Sequence, residues 1–142
     1  MGAYEMDRIG RLIKKASLEL EKTALLILSR YDMTLTQYKI LVYLYNAPPM
    51  STRQVDLERA YSMTNPSVTS VLHTLEKKGL INRAENAKDR RSKVISLTHK
   101  ALDLRDELEA AGDRLEEAFT RNLSSAERSE MVVLLTKMLK KG

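Results

Sequence analysis

The chain has no cysteine and no tryptophan, and in 142 residues it spends only one phenylalanine, two histidines, three prolines and five glycines. The absence of cysteine excludes disulfides, thiolate zinc sites and cysteine-based redox sensing. The two histidines, His73 and His99, stand far apart with no cluster of ligands around either, so no metal and no cofactor is expected. The glycines are scattered rather than gathered into a phosphate-cradling loop, and no nucleophile–base constellation stands out. An enzyme is therefore the weakest reading. No apolar run approaches the roughly 18 residues of a membrane helix. The opening Met-Gly-Ala-Tyr-Glu-Met-Asp lacks the basic-then-apolar order of a secretion signal, and cytoplasmic residence is the expectation.

What remains is a soluble composition, 43% hydrophobic and 30% charged, with a formal net charge of +5. The length suits one domain, or one domain with an appendage. Charge is concentrated in one place. Residues 76–93 hold seven Lys/Arg against three acids, while the rest of the chain holds 17 against 16. A focal basic patch on a nearly neutral body is the footprint of a contact with phosphates, although a charged loop can also be merely solvated.

Apolar residues at helical spacing run from Ile9 through Leu12, Ile13, Ala16, Leu20, Ala24, Ile27 and Leu28 to Tyr31. They predict a long amphipathic helix over about 6–30. A second helix is expected from Thr36 as N-cap, with Tyr38, Leu41, Leu44 and Tyr45 inward, stopping at Pro48-Pro49. Ser51 and Gln54 read as a capping box for a short helix ending near Tyr61. After Ser62-Met63-Thr64 the pattern predicts a helix with Asn65 as cap and Pro66 at its first position, ending at Lys78 and Gly79 in a Schellman-type stop. Two strands, about 80–85 and 93–97, then flank a basic loop. Thr98 is expected to cap a long helix carrying Ala101, Leu104, Leu108, Ala111, Leu115 and Ala118. Ser124 and Glu127 form a second capping box before a last helix with Met131, Leu134, Leu135, Met138 and Leu139.

The expected fold is mainly α with a small β-hairpin wing: a winged helix-turn-helix flanked by long helices. Its division is 1–34 as an N-terminal dimerisation helix, 35–98 as the winged lobe and 99–142 as C-terminal dimerisation helices. The end helices carry more apolar surface than a small lobe can cover, which points to a second copy of the chain or to folding back on their own lobe.

On the 65–78 helix, Val68, Val71, Leu72 and Leu75 form an inward face. The opposite face presents Asn65, Pro66, Thr69, Ser70 and His73, with Ser67 beside them. Short polar side chains let a helix approach base edges closely, and an ordinary surface helix would carry Glu and Lys here. The helix N-terminus also favours phosphate. In the loop, Lys88, Arg90 and Arg91 suit a wing whose tip enters a narrow minor groove. Asp89 either pairs with an arginine to hold the tip or simply forms a turn. Thr36, Gln37, Ser51, Thr52 and Arg53, at helix starts, are further candidates for the DNA backbone.

These stretches resemble the MarR family of bacterial winged-helix regulators over nearly the whole chain. The matching segments are Leu35-Thr36-Gln37-Tyr38, Met63-Thr64-Asn65-Pro66-Ser67-Val68-Thr69, Leu75-Glu76-Lys77-Lys78-Gly79-Leu80-Ile81, and Asp89-Arg90-Arg91 leading into Val94-Ile95-Ser96-Leu97-Thr98. The resemblance implies a homodimer on a palindromic operator, with Arg91 in the minor groove and Asp89 steadying it. It also implies control by a small aromatic or anionic effector bound where the dimerisation helices meet the DNA-binding lobe. Tyr31, Tyr38, Tyr43 and Tyr45, beside Met33, lie close to that crevice by analogy, but tyrosines at helical spacing are also ordinary packing residues, and no effector residue is named. The reading is thus a sequence-specific repressor released by a ligand. A nucleoid-type protein without sequence preference, or a winged helix used for protein contacts, are the alternatives.

Overall fold

The computed structural model describes residues 8–85 and 93–140. In chain order the elements are α1 (Arg8–Leu28), a 3-10 turn (Ser29–Tyr31), α2 (Leu35–Asn46), β1 (Thr52–Arg53), α3 (Gln54–Tyr61), α4 (Asn65–Lys77), β2 (Ile81–Glu85), β3 (Lys93–Leu97), α5 (His99–Asp103), α6 (Arg105–Thr120) and α7 (Ser125–Leu139). The architecture is the expected one, mainly helical with a small antiparallel wing sheet.

Several helix starts differ from the expected ones by a residue or two. Thr34, not Thr36, caps α2: its hydroxyl accepts from the Gln37 N–H at 3.1 Å and the Gln37 side chain accepts from the Thr34 N–H at 3.3 Å. Thr64, not Asn65, caps α4, which moves Asn65 to the first helical position and Pro66 to the second, where a missing N–H is equally harmless. The Ser51–Gln54 box does not form. Thr52 and Arg53 instead add a short third strand, Thr52 opposite Ile95 and Arg53 opposite Val94. The first turn of α3 is held by Asp56, whose carboxylate accepts from the Arg53 N–H at 2.8 Å, and the Ser51 hydroxyl turns back to the Pro48 carbonyl. The sheet order is β1-β3-β2, with β2 and β3 paired from Ile81 opposite Leu97 to Glu85 opposite Lys93.

Other stops fall where the sequence puts them. Gly79 adopts φ +74, with its N–H on the Glu76 carbonyl and the Leu80 N–H on the Leu75 carbonyl, the two bonds of a Schellman motif. Leu80 is buried beside Leu75, completing the motif's apolar contact. Thr98 and Ser124 cap as expected, Ser124 reciprocally with Glu127. The long helix after Thr98 is two pieces, broken at Leu104.

The core draws on the chain from α1 to α6: Ala24 and Leu28 of α1, Ile40 and Leu41 of α2, Leu57 of α3, Val68, Leu72 and Leu75 of α4, Ile95 of β3, and Leu108 and Ala111 of α6. At about 1.5–3 kcal/mol per buried aliphatic side chain, this cluster is what holds the helices in place. Leu108 therefore belongs to the core of one chain rather than to a stripe open to another. Where α2 crosses α6, Tyr38 lies directly against Gly112: a Cβ built at Gly112 would fall 1.8 Å from the Tyr38 hydroxyl oxygen. One side of α1 and most of α7 are different. Ile9, Leu12, Leu25, Leu26, Val132, Val133, Met138 and Leu139 are exposed, and α7 has no buried residue in the single chain.

Candidate DNA-binding surface

α3 and α4 are joined by Ser62-Met63-Thr64, and the turn is made by Ser62 in the left-handed region at φ 52, with the Met63 N–H on the Glu58 carbonyl. Three contacts tie the two helices at this corner. The Asn65 amide donates to Glu58 Oε2 at 3.0 Å. The Gln54 amide donates to the Asn65 carbonyl at 3.2 Å and to Thr69 Oγ1 at 2.8 Å. Beneath them Val68, Leu72 and Leu75 are fully buried and Leu57 seals the other side. The helix is thus gripped from its inner face and by its first turn.

Its outer face matches the one read from the sequence. Asn65, Pro66, Ser67, Thr69, Ser70 and His73 are all exposed. The first turn of α4 holds no acidic residue; its Ser67 N–H is capped by the Thr64 hydroxyl, and Pro66 contributes none. The wing strands β2 and β3 run beside this face. The tip they carry, with Lys88, Asp89, Arg90 and Arg91, lies outside the described residues.

The basic patch is less free than its count suggests. Lys78 points inward, its ammonium on the Asp32 carbonyl and on Gln37 Oε1 at 3.0 Å, with Asp32 Oδ2 at 3.8 Å. Lys100 reaches back to the Lys78 carbonyl at 2.8 Å. Arg83 lies 4.0 Å from Glu76 Oε2. Two of the seven cations therefore fasten the end of α4 and the start of the wing to the rest of the fold. Of the backbone candidates, Gln37 and Thr52 are buried, the first inside the α2 cap and the second in β1. Thr36 is half-buried, and Ser51 and Arg53 are exposed, Arg53 with Asp56 at 3.7 Å.

The tyrosines are drawn into packing. Tyr45 is buried, donates to the Ala101 carbonyl, and lies under the Arg105 guanidinium at 5.5 Å from the ring centroid. Burial pushes its hydroxyl up to about 12, the neighbouring Arg105 opposing and Glu109 adding to the shift. Tyr43 meets Tyr61 edge-on, centroids 6.2 Å apart, and Tyr61 donates to the Lys39 carbonyl at 2.7 Å. An open cleft of about 520 Å³ lies between the end of α2, β3 and the α5–α6 corner; Tyr45, Met50, Ile95, Leu102 and Arg105 are among its walls. Among the described residues no group of three or more His, Asp or Glu side chains is placed to hold a metal ion, and no helix is long and apolar enough to cross a membrane.

The polar contacts between α3 and α4 lie at the surface and have no signature in the sequence. Gln54 was read as part of a cap, and nothing local signals that it reaches a residue fifteen positions on.

A helix with an uncharged polar face, seated on a preceding helix across a tight turn and flanked by an antiparallel hairpin, defines a winged helix-turn-helix DNA-binding protein. The MarR family model matches residues 33–93, from the start of the α2 corner to the far side of the wing. The chain is similar to S. aureus MepR in a complex with DNA, at 34% identity over 92% of this chain and 95% of that one, with a TM-score of 0.82. It is also similar to a mutant of E. coli MarR complexed with operator DNA, at 26% identity over 99% and 100% of the two chains and a TM-score of 0.87. A probable transcriptional regulator from Pseudomonas aeruginosa matches at 25% identity over 94% and 98%, with a TM-score of 0.85. The chain belongs to the MarR family of transcriptional regulators.

Proposed function

We propose that the protein is a homodimeric, sequence-specific repressor that reads a palindromic operator and releases it when a small ligand binds. The observation that carries this reading is the exposed, uncharged face of α4, held in a fixed pose by Gln54, Glu58 and the core. Asn65, Pro66, Ser67, Thr69, Ser70 and His73 meet the major groove, while Arg91, steadied by Asp89 and flanked by Lys88 and Arg90, meets the minor groove. Thr36, Ser51 and Arg53 reach the DNA backbone.

Residues 35–98 are the DNA-binding lobe, and 1–34 and 99–142 build the dimer. The exposed apolar side chains of α1 and α7 support this, since a second copy covers both at once. Two-fold symmetry then demands half-sites about 10 bp apart, centre to centre. That MepR and MarR relatives were crystallised with DNA, the latter with its operator, supports the same use of the fold. The cleft beside Tyr45 and Arg105 has apolar walls and one cation, which suits a small aromatic or anionic effector. Such a ligand lowers DNA affinity only by the ratio of its own affinities for the free and DNA-bound conformations.

The test is selection of bound duplexes from a random pool by the purified protein, followed by sequencing. An enriched inverted repeat with half-sites one helical turn apart is the expected result. Salt-sensitive binding without enrichment would replace this reading with a nucleoid-type one, and failure to bind any duplex would leave a protein-interaction module.

A further inference from the structure

α3 does more than support α4. Because β1 takes up Thr52 and Arg53, Gln54 opens α3 with its side chain unspent on a cap. Its amide lies 3.2 Å from the Asn65 carbonyl and 2.8 Å from Thr69 Oγ1. A backbone carbonyl can only accept, so it fixes which end of the amide faces α4: the nitrogen. An amide nitrogen can only donate, so Thr69 Oγ1 is the acceptor, and its own hydrogen must point elsewhere. The usual outlet for a threonine within a helix is the carbonyl four residues back. Thr74 takes that outlet, donating to the Ser70 carbonyl at 3.2 Å. For Thr69 the corresponding carbonyl is that of Asn65, which Gln54 occupies. Among the described residues the Thr69 hydroxyl has no acceptor, and it lies exposed on the groove-facing side.

We propose that Gln54 is a positioning residue for sequence readout: it takes one lone pair of Thr69 Oγ1 and leaves the hydroxyl hydrogen free, so a base edge that presents an acceptor is favoured there. In the major groove the acceptors are guanine N7 and O6, adenine N7 and thymine O4; an amino group of cytosine or adenine can be met only through the second lone pair of Thr69 Oγ1 and leaves the hydroxyl hydrogen unpaired, so it is disfavoured at that point. This rests on α4 being the base-reading helix, as proposed above.

The experiment uses the full chain as wild type, Thr69→Val, Gln54→Leu and Gln54→Glu. Each is put through selection from a random duplex pool and then titrated against four duplexes that differ at the base pair whose preference Thr69→Val changes. The wild type is expected to favour one base there by roughly three- to ten-fold, as befits a single hydrogen bond. Thr69→Val and Gln54→Leu should both reduce that preference below about two-fold at the same base pair, with the other positions and the salt dependence unchanged. The carboxylate of Gln54→Glu can only accept, so it turns the Thr69 hydroxyl round and should shift the preference toward a base that presents an amino donor. If Gln54→Leu fails to fold, Gln54→Glu decides alone. An unaltered preference in the Gln54 variants overturns the proposal, as does an even loss at every position or a silent Thr69→Val. A wild type with no preferred sequence would instead remove the base-reading role of α4 itself.

Discussion

Between α2 and β3 the apolar side chains of this chain face one another, and Leu41, Leu57, Leu72 and Leu75 are fully buried. In α7 none is buried: Leu134 is 49% exposed, Met138 57% and Leu139 80%. The two regions have similar apolar content but different use for it. The lobe has a surplus of polar connections at its surface, at Gln54, Glu58, Lys78 and Arg83, and an apolar interior that its own residues fill. α7 has the apolar stripe without an interior, and the Arg128–Glu117 ion pair, at 3.0 Å, with the Arg128 bond to the Thr120 carbonyl, ties its first turns to α6. A region that closes on itself can carry a recognition surface, whereas one that does not leaves its apolar stripe to the second copy proposed above.

Four changes would break or sharpen that contrast. Leu134→Glu with Met138→Glu should dissociate the proposed dimer, raising its dissociation constant close to a thousand-fold, on the order of 4 kcal/mol for two apolar anchors replaced by charges. Sedimentation would then report the 16.2 kDa of a single chain. An unchanged dimer would take α7 out of the interface. Leu72→Ala acts on the other region and should cost about 3 kcal/mol of stability in urea unfolding, because a filled core cannot collapse around the lost side chain.

Lys78→Met tests the bolt that fastens the end of α4 to the corner between α1 and α2. It removes the bonds to Gln37 and Asp32 and should cost about 1.5 kcal/mol, leaving Gln37 Oε1 with the Thr34 N–H alone. A loss no greater than that of a surface lysine would show the bolt to be idle. The smallest effect is at Tyr45. Tyr45→Phe should cost about 1 kcal/mol at neutral pH for the bond to the Ala101 carbonyl. Since the folded hydroxyl is pushed up to about 12 from an ordinary 10.0, its stabilisation is complete below pH 10 and lost as the pH climbs to 12. Subtracting the Tyr45→Phe unfolding curve from that of the wild type should isolate this decline. Parallel curves over that range would mean that Tyr45 ionises equally in both states.

The helices and the wing were legible because their signals are local and repetitive: three-and-four spacing, Gly79 after Lys78, two strand-like runs around a basic loop. The groove-facing set on α4 followed from the same periodicity, since fixing Val68, Leu72 and Leu75 inward fixes Asn65, Thr69 and His73 outward. The caps were harder because capping residues stand in competition. Thr34 and Thr36, and Thr64 and Asn65, are all able to accept from a helix N–H, and packing chooses between them. The Ser51–Gln54 box lost to a strand of two residues, too short to leave a pattern, whose ladder bonds outweigh one cap. What joins Gln54 to Thr69 or Lys78 to Gln37 is proximity created by the fold, which no spacing announces.

The notch at Gly112 limits how the lobe can travel. With the Tyr38 ring resting where any other residue would carry a side chain, α2 cannot slip along α6 by a turn without riding over Leu108 or Glu116. The contact behaves as a key in its slot. A slide of α2 along α6 by one turn would therefore have to carry the Tyr38 hydroxyl out of this notch. In the proposed dimer, a tilt about this contact would change the spacing between the two α4 helices by an amount that grows with their distance from it.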